Sequence, residues 1–351
     1  MAAAAMAAAR HHRRLLGVAP LTGRQVNLLL EGLIAASFLT GLGSWMVPTA
    51  LARPLTLTHA ITGITLLLLA PTKVAGPVRT GLRRRRVSRW LSIALGVIIV
   101  ASVALGTAHA TGLWFGVGEW SALWTHLLLA FAAVPLVVWH RLARPVRPRP
   151  SDLDRRALLR TAMTLTAAAG VVGTQELAVR ALGLDGARRS ATGSHAIATL
   201  DPDRLPVVSW LDDTAPDLDP DDWPLRIAGR PVAIPDLVAL AVPLDAEIDC
   251  TGGWRSLQRW DVVAVSTVLP DGLGRSIRVT SATGYTRLFD PADVSRIHLA
   301  VGYGGRALRR GHGAPVRLVV PGRRGPWWVK WVTEIDYSNR PAWTQLPFPP
   351  T

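Results

Sequence analysis

The sequence predicts an all-α membrane helical bundle of four spans plus a fifth anchoring span, followed by an α+β soluble domain. Hydrophobic residues make up 49% of the 351 residues and charged residues only 18%. Long apolar runs alternate with arginine clusters in the first half, whereas the second half, from about Gly193, has the mixed composition of a soluble domain. Short β-rich runs there lie between Pro/Gly turns.

Four apolar runs form the predicted membrane domain, residues 26–145. At 1.5 Å per residue, each run is close to the length that crosses a bilayer. Buried helices of a soluble core are the alternative, but four such runs in about 120 residues argue against it. The four runs are residues 26–47, 55–70, 91–107 and 120–139.

A fifth run, residues 157–177, is weaker and rich in Ala, Thr and Gly. Arg155 and Arg156 precede it, in the stretch Asp-Arg-Arg-Ala-Leu-Leu that resembles a twin-arginine export signal placed internally. That route would move the following domain in its folded state. A plain positively charged flank is the alternative interpretation. We assign residues 150–183 to a twin-arginine-like fifth span.

The positive charges predict the orientation. Of the 19 Lys and Arg between Met1 and Arg160, 18 lie in three segments that flank apolar runs. These segments are the basic tail, residues 1–25, and the second and fourth connections. By the positive-inside rule they are cytoplasmic, so five spans place the soluble domain outside a bacterial plasma membrane. The net charge of +15 (39 basic and 24 acidic residues) therefore reflects lipid contact and orientation, and we expect no nucleic-acid partner.

Three histidines are predicted near the outer ends of spans, where ionisable residues are costly and usually functional. His59 lies in the second run, His126 in the fourth, and His109 follows the third. Because the second and fourth helices of an up-and-down bundle face each other across its core, we expect His59 and His126 to be the axial ligands of one haem b. His109 is an alternative ligand, and interfacial hydrogen bonding is the alternative role for each.

A second haem is not expected. His140 follows His126 by 14 residues, a spacing that resembles b-type cytochromes with two stacked haems. The matching position on the second span is Lys73, which does not provide an imidazole. The expected haem is therefore the outer one, on the side of the soluble domain.

The soluble domain is predicted over residues 205–351, after a small, polar linker at 184–204. One helical stretch, residues 234–241, lies among the predicted strands. The predicted strands are residues 207–211, 225–227, 276–281, 316–320 and 327–335.

Two motifs resemble the molybdopterin-binding domain of the sulfite oxidase family. Residues 249–255 read Asp-Cys-Thr-Gly-Gly-Trp-Arg, followed by Arg259-Trp260, and resemble the family's molybdenum-ligand segment. Residues 311–321 and 325–331, Gly-His-Gly-Ala-Pro-Val-Arg-Leu-Val-Val-Pro and Gly-Pro-Trp-Trp-Val-Lys-Trp, resemble its C-terminal pterin-binding motif. The resemblance covers about residues 205–337 and implies an α+β fold with a molybdenum–molybdopterin cofactor.

The resemblance also implies residue roles. Cys250, the single cysteine of the sequence, would bind molybdenum as a soft thiolate. Arg317 and Lys330 would hold the pterin phosphate. Arg255 would direct a cation toward an anionic or polar substrate. The remaining cofactor-binding candidates are Ser281, His312 and Val329.

The chain departs from the family in two respects. Val262 stands where relatives usually carry Gly, two residues after the second Trp of the first motif. The sequence also lacks the immunoglobulin-like dimerisation domain of sulfite oxidases and so resembles the catalytic subunit of bacterial methionine sulfoxide reductase. We therefore expect a monomeric catalytic domain.

The predicted function is that of a membrane oxidoreductase. It would exchange electrons between an outer molybdenum site and the membrane quinone pool through the haem. The small-molecule substrate would be sulfite-like, or an S- or N-oxide, and the direction of electron flow stays open. A cofactor-free, membrane-anchored interaction module is the alternative. A transporter is less favoured, because the spans lack paired acids or broken helices at mid-membrane.

Overall fold

The fold is taken from a computed structural model that describes residues 21–47, 49–81, 87–117, 120–209, 213–219 and 222–346. Most of the basic tail and the arginine cluster at 82–86 lie outside these residues. The chain divides into two compact units. The first comprises Met1–Gly41 and Leu57–Ala187, and the second comprises Leu42–Thr56 and Arg188–Thr351.

Five long helices occupy the N-terminal region, and each is long and apolar enough to be a candidate membrane span. This agrees with the five predicted runs, although the helices extend beyond them. A two-stranded hairpin of Gly116–Val117 (β1) and Trp120–Ser121 (β2) connects the third helix to the fourth. The helices are Gly23–Met46 (α1), Thr49–Gly81 (α2), Val87–Thr111 (α3), Ala122–Ala143 (α4) and Arg155–Ala181 (α5).

Capping side chains determine where the last two long helices begin. The backbone N–H of Trp124 donates to Ser121 Oγ at 3.0 Å, which caps α4. The backbone N–H of Ala157 donates to Asp154 Oδ1 at 2.7 Å, which caps α5. Arg155 and Arg156 are thus the first two residues of α5, so the paired arginines belong to the helix itself.

Two sheets build the second unit, together with the short helices Ile234–Leu240 (α6) and Val265–Val268 (α7). Apolar residues of both sheets form one core around Trp260, Trp328 and Trp331, each at most 2% exposed. The first sheet contains His195–Ala196 (β3), Val242–Asp249 (β6), Trp254–Ala264 (β7), His298–Tyr303 (β10), Arg306–Ala307 (β11) and Arg317–Val319 (β12). The second contains Arg226–Ile227 (β4), Arg230–Pro231 (β5), Ser276–Ser281 (β8), Thr286–Phe289 (β9) and Val332–Ser338 (β13).

The hairpin of β6 and β7 is the longest pairing in the first sheet, with antiparallel register from Val242↔Val262 to Asp249↔Arg255. Cys250 lies at its tip. The Cys250 N–H donates to the Trp254 carbonyl at 2.8 Å, and the Gly253 N–H donates to the Cys250 carbonyl at 3.1 Å. Gly253 has φ +87°, a conformation that favours glycine and closes this tight turn.

Three of the predicted elements need correction. The described part of 207–211 is not a strand, and 327–335 divides into a 3₁₀ turn that ends at Trp327 and the strand β13. The predicted linker, 184–204, contains β3, which pairs in parallel with β7 through His195↔Trp254. Periodicity failed here because buried strands of a two-sheet core do not alternate cleanly, and because β3 is held by a partner far along the chain.

Candidate functional site

One cavity of the second unit brings together six of the predicted residues. Its walls also contain Trp254, Tyr285, Trp328 and Asp213. The six predicted residues that line it are Cys250, Ser281, His312, Arg317, Val329 and Lys330.

Backbone elements of both sheets place these side chains. Cys250 lies at the hairpin tip, Ser281 is the last residue of β8, and Arg317 is the first residue of β12. Gly313, at φ +104°, allows the backbone to pass between the side chains of Arg317 and Lys330. A Cβ there would lie 2.9 Å from Arg317 Cβ and 3.1 Å from Lys330 Cβ, so a larger residue would push them apart.

Arg317 and Lys330 are cations whose hydrogen-bond acceptors are uncharged. Arg317 is 3% exposed, donates to the carbonyls of His312 (2.9 Å) and Trp328 (3.2 Å), and lies over the rings of Trp260 and Trp328. Lys330 Nζ donates to the Gly311 carbonyl at 2.5 Å. Among the described residues, neither cation forms a salt bridge with a carboxylate. Such an arrangement favours an anionic ligand.

Burial lowers the pKa of both cations. Desolvation lowers the pKa of Arg317 to about 10. Desolvation, followed by the charge of Arg317, lowers the pKa of Lys330 to about 7. An anion bound between them would reverse this effect for Lys330 by favouring its charged form.

His312 uses both ring nitrogens within the protein. Tyr303 Oη lies 2.9 Å from His312 Nδ1, and His312 Nε2 lies 3.0 Å from the Leu205 carbonyl. Because a carbonyl only accepts, Nε2 carries the proton and Nδ1 accepts from the tyrosine. Desolvation and the charge of Arg317 lower the pKa of His312 to about 4, so the ring is neutral near pH 7. Both ring nitrogens of His312 are therefore engaged within the protein, and its carbonyl accepts a hydrogen bond from Arg317.

The Cys250 thiol is 6% exposed and accepts from the Gly252 N–H, with an N–Sγ distance of 3.3 Å. Burial raises its pKa, while that hydrogen bond and the charges of Arg324 and Lys330 act to lower it. A thiolate at this position would need a metal ion or a nearby cation to be stable. The nearby cations are in place.

Arg255 does not line the cavity. Its guanidinium forms an ion pair with Glu247 across the β6–β7 hairpin and donates to the Arg188 carbonyl at 3.2 Å. The predicted substrate-directing role is not supported by this position. Arg255 lies outside the cavity because successive residues of a strand point to opposite faces of the sheet, and its neighbour Trp254 points toward the cavity.

Tyr285, Asp249 and Arg324 were not among the site residues predicted from the sequence. Tyr285 donates from its hydroxyl to the Pro326 carbonyl at 2.6 Å, and burial raises its pKa to about 12. Asp249 and Arg324 form a buried ion pair beside the cysteine, with side chains 4% and 2% exposed. The position of Asp249 next to Cys250 was visible in the sequence, but its partner lies 75 residues away.

The cavity residues fit a molybdenum–molybdopterin cofactor. The cofactor needs a soft ligand for the metal and cations for a phosphate, and the cavity contains one thiol and two buried cations. Ser281 and Tyr285 add hydroxyl groups to the same walls.

A separate pair of histidines lies in the first unit. The rings of His59, on α2, and His126, on α4, have centroids 5.7 Å apart and planes at 85°. His59 Nδ1 lies 2.8 Å from the Ser37 carbonyl, and His126 Nδ1 lies 2.7 Å from the Ser102 carbonyl. Each Nδ1 therefore carries the proton, which leaves the lone pair on Nε2, as in many metal-binding histidines.

Glycines on neighbouring helices make room for both rings. A Cβ at Gly41 of α1 would lie 2.8 Å from His59 Cε1, and one at Gly106 of α3 would lie 3.1 Å from His126 Nδ1. His109 is buried and contacts Phe115, with centroids 6.5 Å apart, while His140 lies 3.4 Å from Ser92 Oγ. In the described part of the chain, no group of three or more His, Cys, Asp or Glu could hold a metal ion. An axial haem pair needs two.

Comparison with known proteins gives a family match within the second unit. Residues 213–345 match the family model of the oxidoreductase molybdopterin binding domain. No curated protein matches the chain significantly. The chain is similar to a solved structure, the sulfane dehydrogenase SoxCD from Paracoccus pantotrophus, with 26% identity and a TM-score of 0.33. This similarity covers 36% of the present chain and 40% of the SoxCD chain. Every predicted molybdopterin-binding residue lies within residues 213–345, the part of the chain that matches this family model.

Proposed function

We propose that this protein is a membrane-bound, molybdopterin-dependent oxidoreductase. It exchanges electrons between an extracytoplasmic molybdenum site and the quinone pool through one haem b. The observation that carries the proposal is the cavity in which one thiol and two cations without a carboxylate partner among the described residues lie together. When bound, the molybdenum cofactor would supply two-electron oxo transfer to or from the substrate.

In this proposal, each cavity residue has a defined task. Cys250 binds the metal through Sγ, and Arg317 and Lys330 hold the pterin phosphate. Ser281 and Val329, which line the cavity, would contact the pterin, and the His312 carbonyl accepts a hydrogen bond from the Arg317 guanidinium. Tyr285 forms part of the cavity wall, and its protonated hydroxyl, whose pKa is raised by burial, donates to the Pro326 carbonyl.

The haem part of the proposal rests on His59 and His126. Their protonated Nδ1 atoms, the 5.7 Å distance between their ring centroids and the adjacent glycines support axial ligation through Nε2. The five candidate spans would place this haem in the membrane, where quinone is available.

The cavity favours an uncharged S- or N-oxide over sulfite. Once the pterin phosphate is bound by Arg317 and Lys330, the one remaining charge among the described lining residues is that of Asp213. An anionic substrate would be repelled by this carboxylate, and Arg255 is engaged by Glu247. Trp254 and Tyr285 offer aromatic walls to an organic substituent. Assays of the loaded enzyme should give a higher kcat/KM for organic sulfoxides or N-oxides, with a reduced electron donor, than for sulfite oxidation. The opposite ranking would contradict this assignment.

Metal analysis and one substitution test the proposal. The purified protein should contain about one molybdenum per chain, and Cys250→Ser should remain folded but lose at least about a hundredfold in oxo-transfer rate, because a hard hydroxyl replaces a soft thiolate. Ser256→Ala, on the same hairpin, serves as the control for loss of a buried hydroxyl and should retain activity. Undiminished turnover in Cys250→Ser would refute the molybdenum assignment. A protein that binds neither molybdopterin nor haem would instead support the interaction module.

A further inference from the structure

A buried polar network contacts the residue that precedes Cys250, on the side away from the cavity. Arg324 Nη1 lies 2.5 Å from Asp249 Oδ1, and both side chains are almost fully buried. Asp249 Oδ1 also accepts from Ser194 Oγ at 2.6 Å, and Oδ2 accepts from Thr192 Oγ1 at 2.8 Å. Arg324 Nη1 lies 3.3 Å from Ser194 Oγ. Four side chains thus meet at the residue that precedes Cys250.

Two of the four residues lie outside the region that matches the molybdopterin domain. Thr192 and Ser194 precede residue 213, in the segment read from the sequence as a linker. The backbone reinforces their contact, because the His195 N–H donates to the Gly253 carbonyl at 3.0 Å. This segment therefore contacts both ends of the turn at residues 250–253.

None of these four side chains lines the cavity, so the network determines the position of the thiol through the backbone, in addition to the electrostatic effect of Arg324 and Asp249 on it. A buried ion pair contributes little net stability, because desolvation of its charges offsets their attraction. Where hydrogen bonds satisfy it fully, it restricts the backbone to one conformation. Asp249 precedes Cys250, and a metal ligand such as Cys250 needs a fixed side-chain position.

We propose that Thr192, Ser194, Asp249 and Arg324 are positioning residues that fix the Cys250 side chain, so that the segment before the molybdopterin domain is part of the metal-ligand site. The consequence for metal binding rests on the proposed function. The position of the thiol is independent of that function and is measurable without the cofactor.

The test uses the full chain in detergent, prepared without cofactor. Because Cys250 is the single cysteine, its alkylation by iodoacetamide reports one site. Ser194→Ala and Thr192→Val remove hydroxyls without changing charge, and each should change the alkylation rate at fixed pH by at least about threefold. Thr192→Ser, which keeps the hydroxyl, should restore the wild-type rate. Ser276→Ala removes an equally buried hydroxyl in the other sheet and should have no effect.

The outcomes separate the two proposals. If Ser194→Ala and Thr192→Val both alkylate at the rate of Ser276→Ala, the positioning role is wrong. If either variant unfolds, the other decides the question, since each hydroxyl binds a different carboxylate oxygen. In cofactor-loaded protein, both variants should also shift the electron paramagnetic resonance signal of the metal, and an unshifted signal would overturn the role at the metal. A wild-type protein without molybdenum would refute the proposed function, while the alkylation comparison would still decide the positioning role.

Discussion

Lys330 is a buried cation with uncharged hydrogen-bond partners and a lowered pKa. Its ammonium group donates to the Gly311 carbonyl and lies 3.4 Å from Ser209 Oγ, and both of these partners are uncharged. Burial and the neighbouring Arg317 lower its pKa from 10.5 to about 7. Arg317 remains charged at neutral pH, which is why the guanidinium is the more permanent of the two cations.

The lowered pKa of Lys330 predicts a pH dependence in the cofactor-free protein. Between about pH 7 and 10.5, the unfolded state binds more protons at this lysine than the folded state does, so the free energy of unfolding rises with pH. Relative to Lys330→Met, wild type should gain about 1–2 kcal/mol between about pH 6 and 9, or roughly 3–6 °C in the Tm of the soluble domain. Thermal denaturation at both pH values measures this difference.

Arg296→Met is the control for this experiment, because the Arg296 side chain is 77% exposed. It should show the same pH dependence as wild type. Bound cofactor should abolish or reverse the gain, since the phosphate favours protonated Lys330. A difference between wild type and Lys330→Met that is the same at both pH values would contradict the lowered pKa.

At the scale of elements, helices position the two histidines and glycines on other helices leave space for them. Helix α2 supplies His59 and α4 supplies His126, while α1 and α3 each present a glycine to one ring. The glycines have ordinary helical dihedrals, so their role here is to accommodate the rings and not to allow a turn. The cost of glycine within a helix, about 1 kcal/mol relative to alanine, is consistent with such a role.

Paired glycine substitutions test this arrangement. Gly41→Ala should lower the haem content severalfold, because the new Cβ would lie 2.8 Å from the His59 ring, and Gly106→Ala should do so less strongly. Gly32→Ala on α1 and Gly96→Ala on α3 are the controls, since no described residue lies within 4 Å of a Cβ at either position. The measurement is the haem absorbance per protein.

Histidine variants test the ligands themselves. His59→Ala or His126→Ala should each abolish a low-spin b-type spectrum, and His140→Ala should leave it intact. Two haems per chain, or a haem that survives in His126→Ala, would show that these ligands are wrong. A purified protein with no haem would leave the helices as an anchor.

At the scale of the whole molecule, five candidate spans and the distribution of arginines predict an extracytoplasmic molybdopterin domain. Reporter fusions after Thr199 should be active outside the cytoplasm, and fusions within 79–89 should be active inside it.

Replacing Arg155 and Arg156 by Lys should block export of the domain while the first four helices still insert, because the substitutions preserve charge but remove the arginine pair. Normal export of this variant would contradict the twin-arginine interpretation alone, and a cytoplasmic reporter after Thr199 would contradict the topology.

The five apolar helices, the α+β character of the second half and six of the cavity-lining residues were predictable from the sequence alone. These follow from hydrophobic length and from two contiguous motifs, which are local properties of the chain. The ion pair of Arg255 with Glu247, the hydrogen bonds of both His312 nitrogens, and the contacts of Thr192 and Ser194 with Asp249 became visible only in the folded chain. Each depends on a partner brought close by sheet pairing, and Arg324 reaches Asp249 across 75 residues. Such long-range pairs leave no periodic signal in a single sequence, because a hydrogen bond constrains the positions of two groups and not the residues between them.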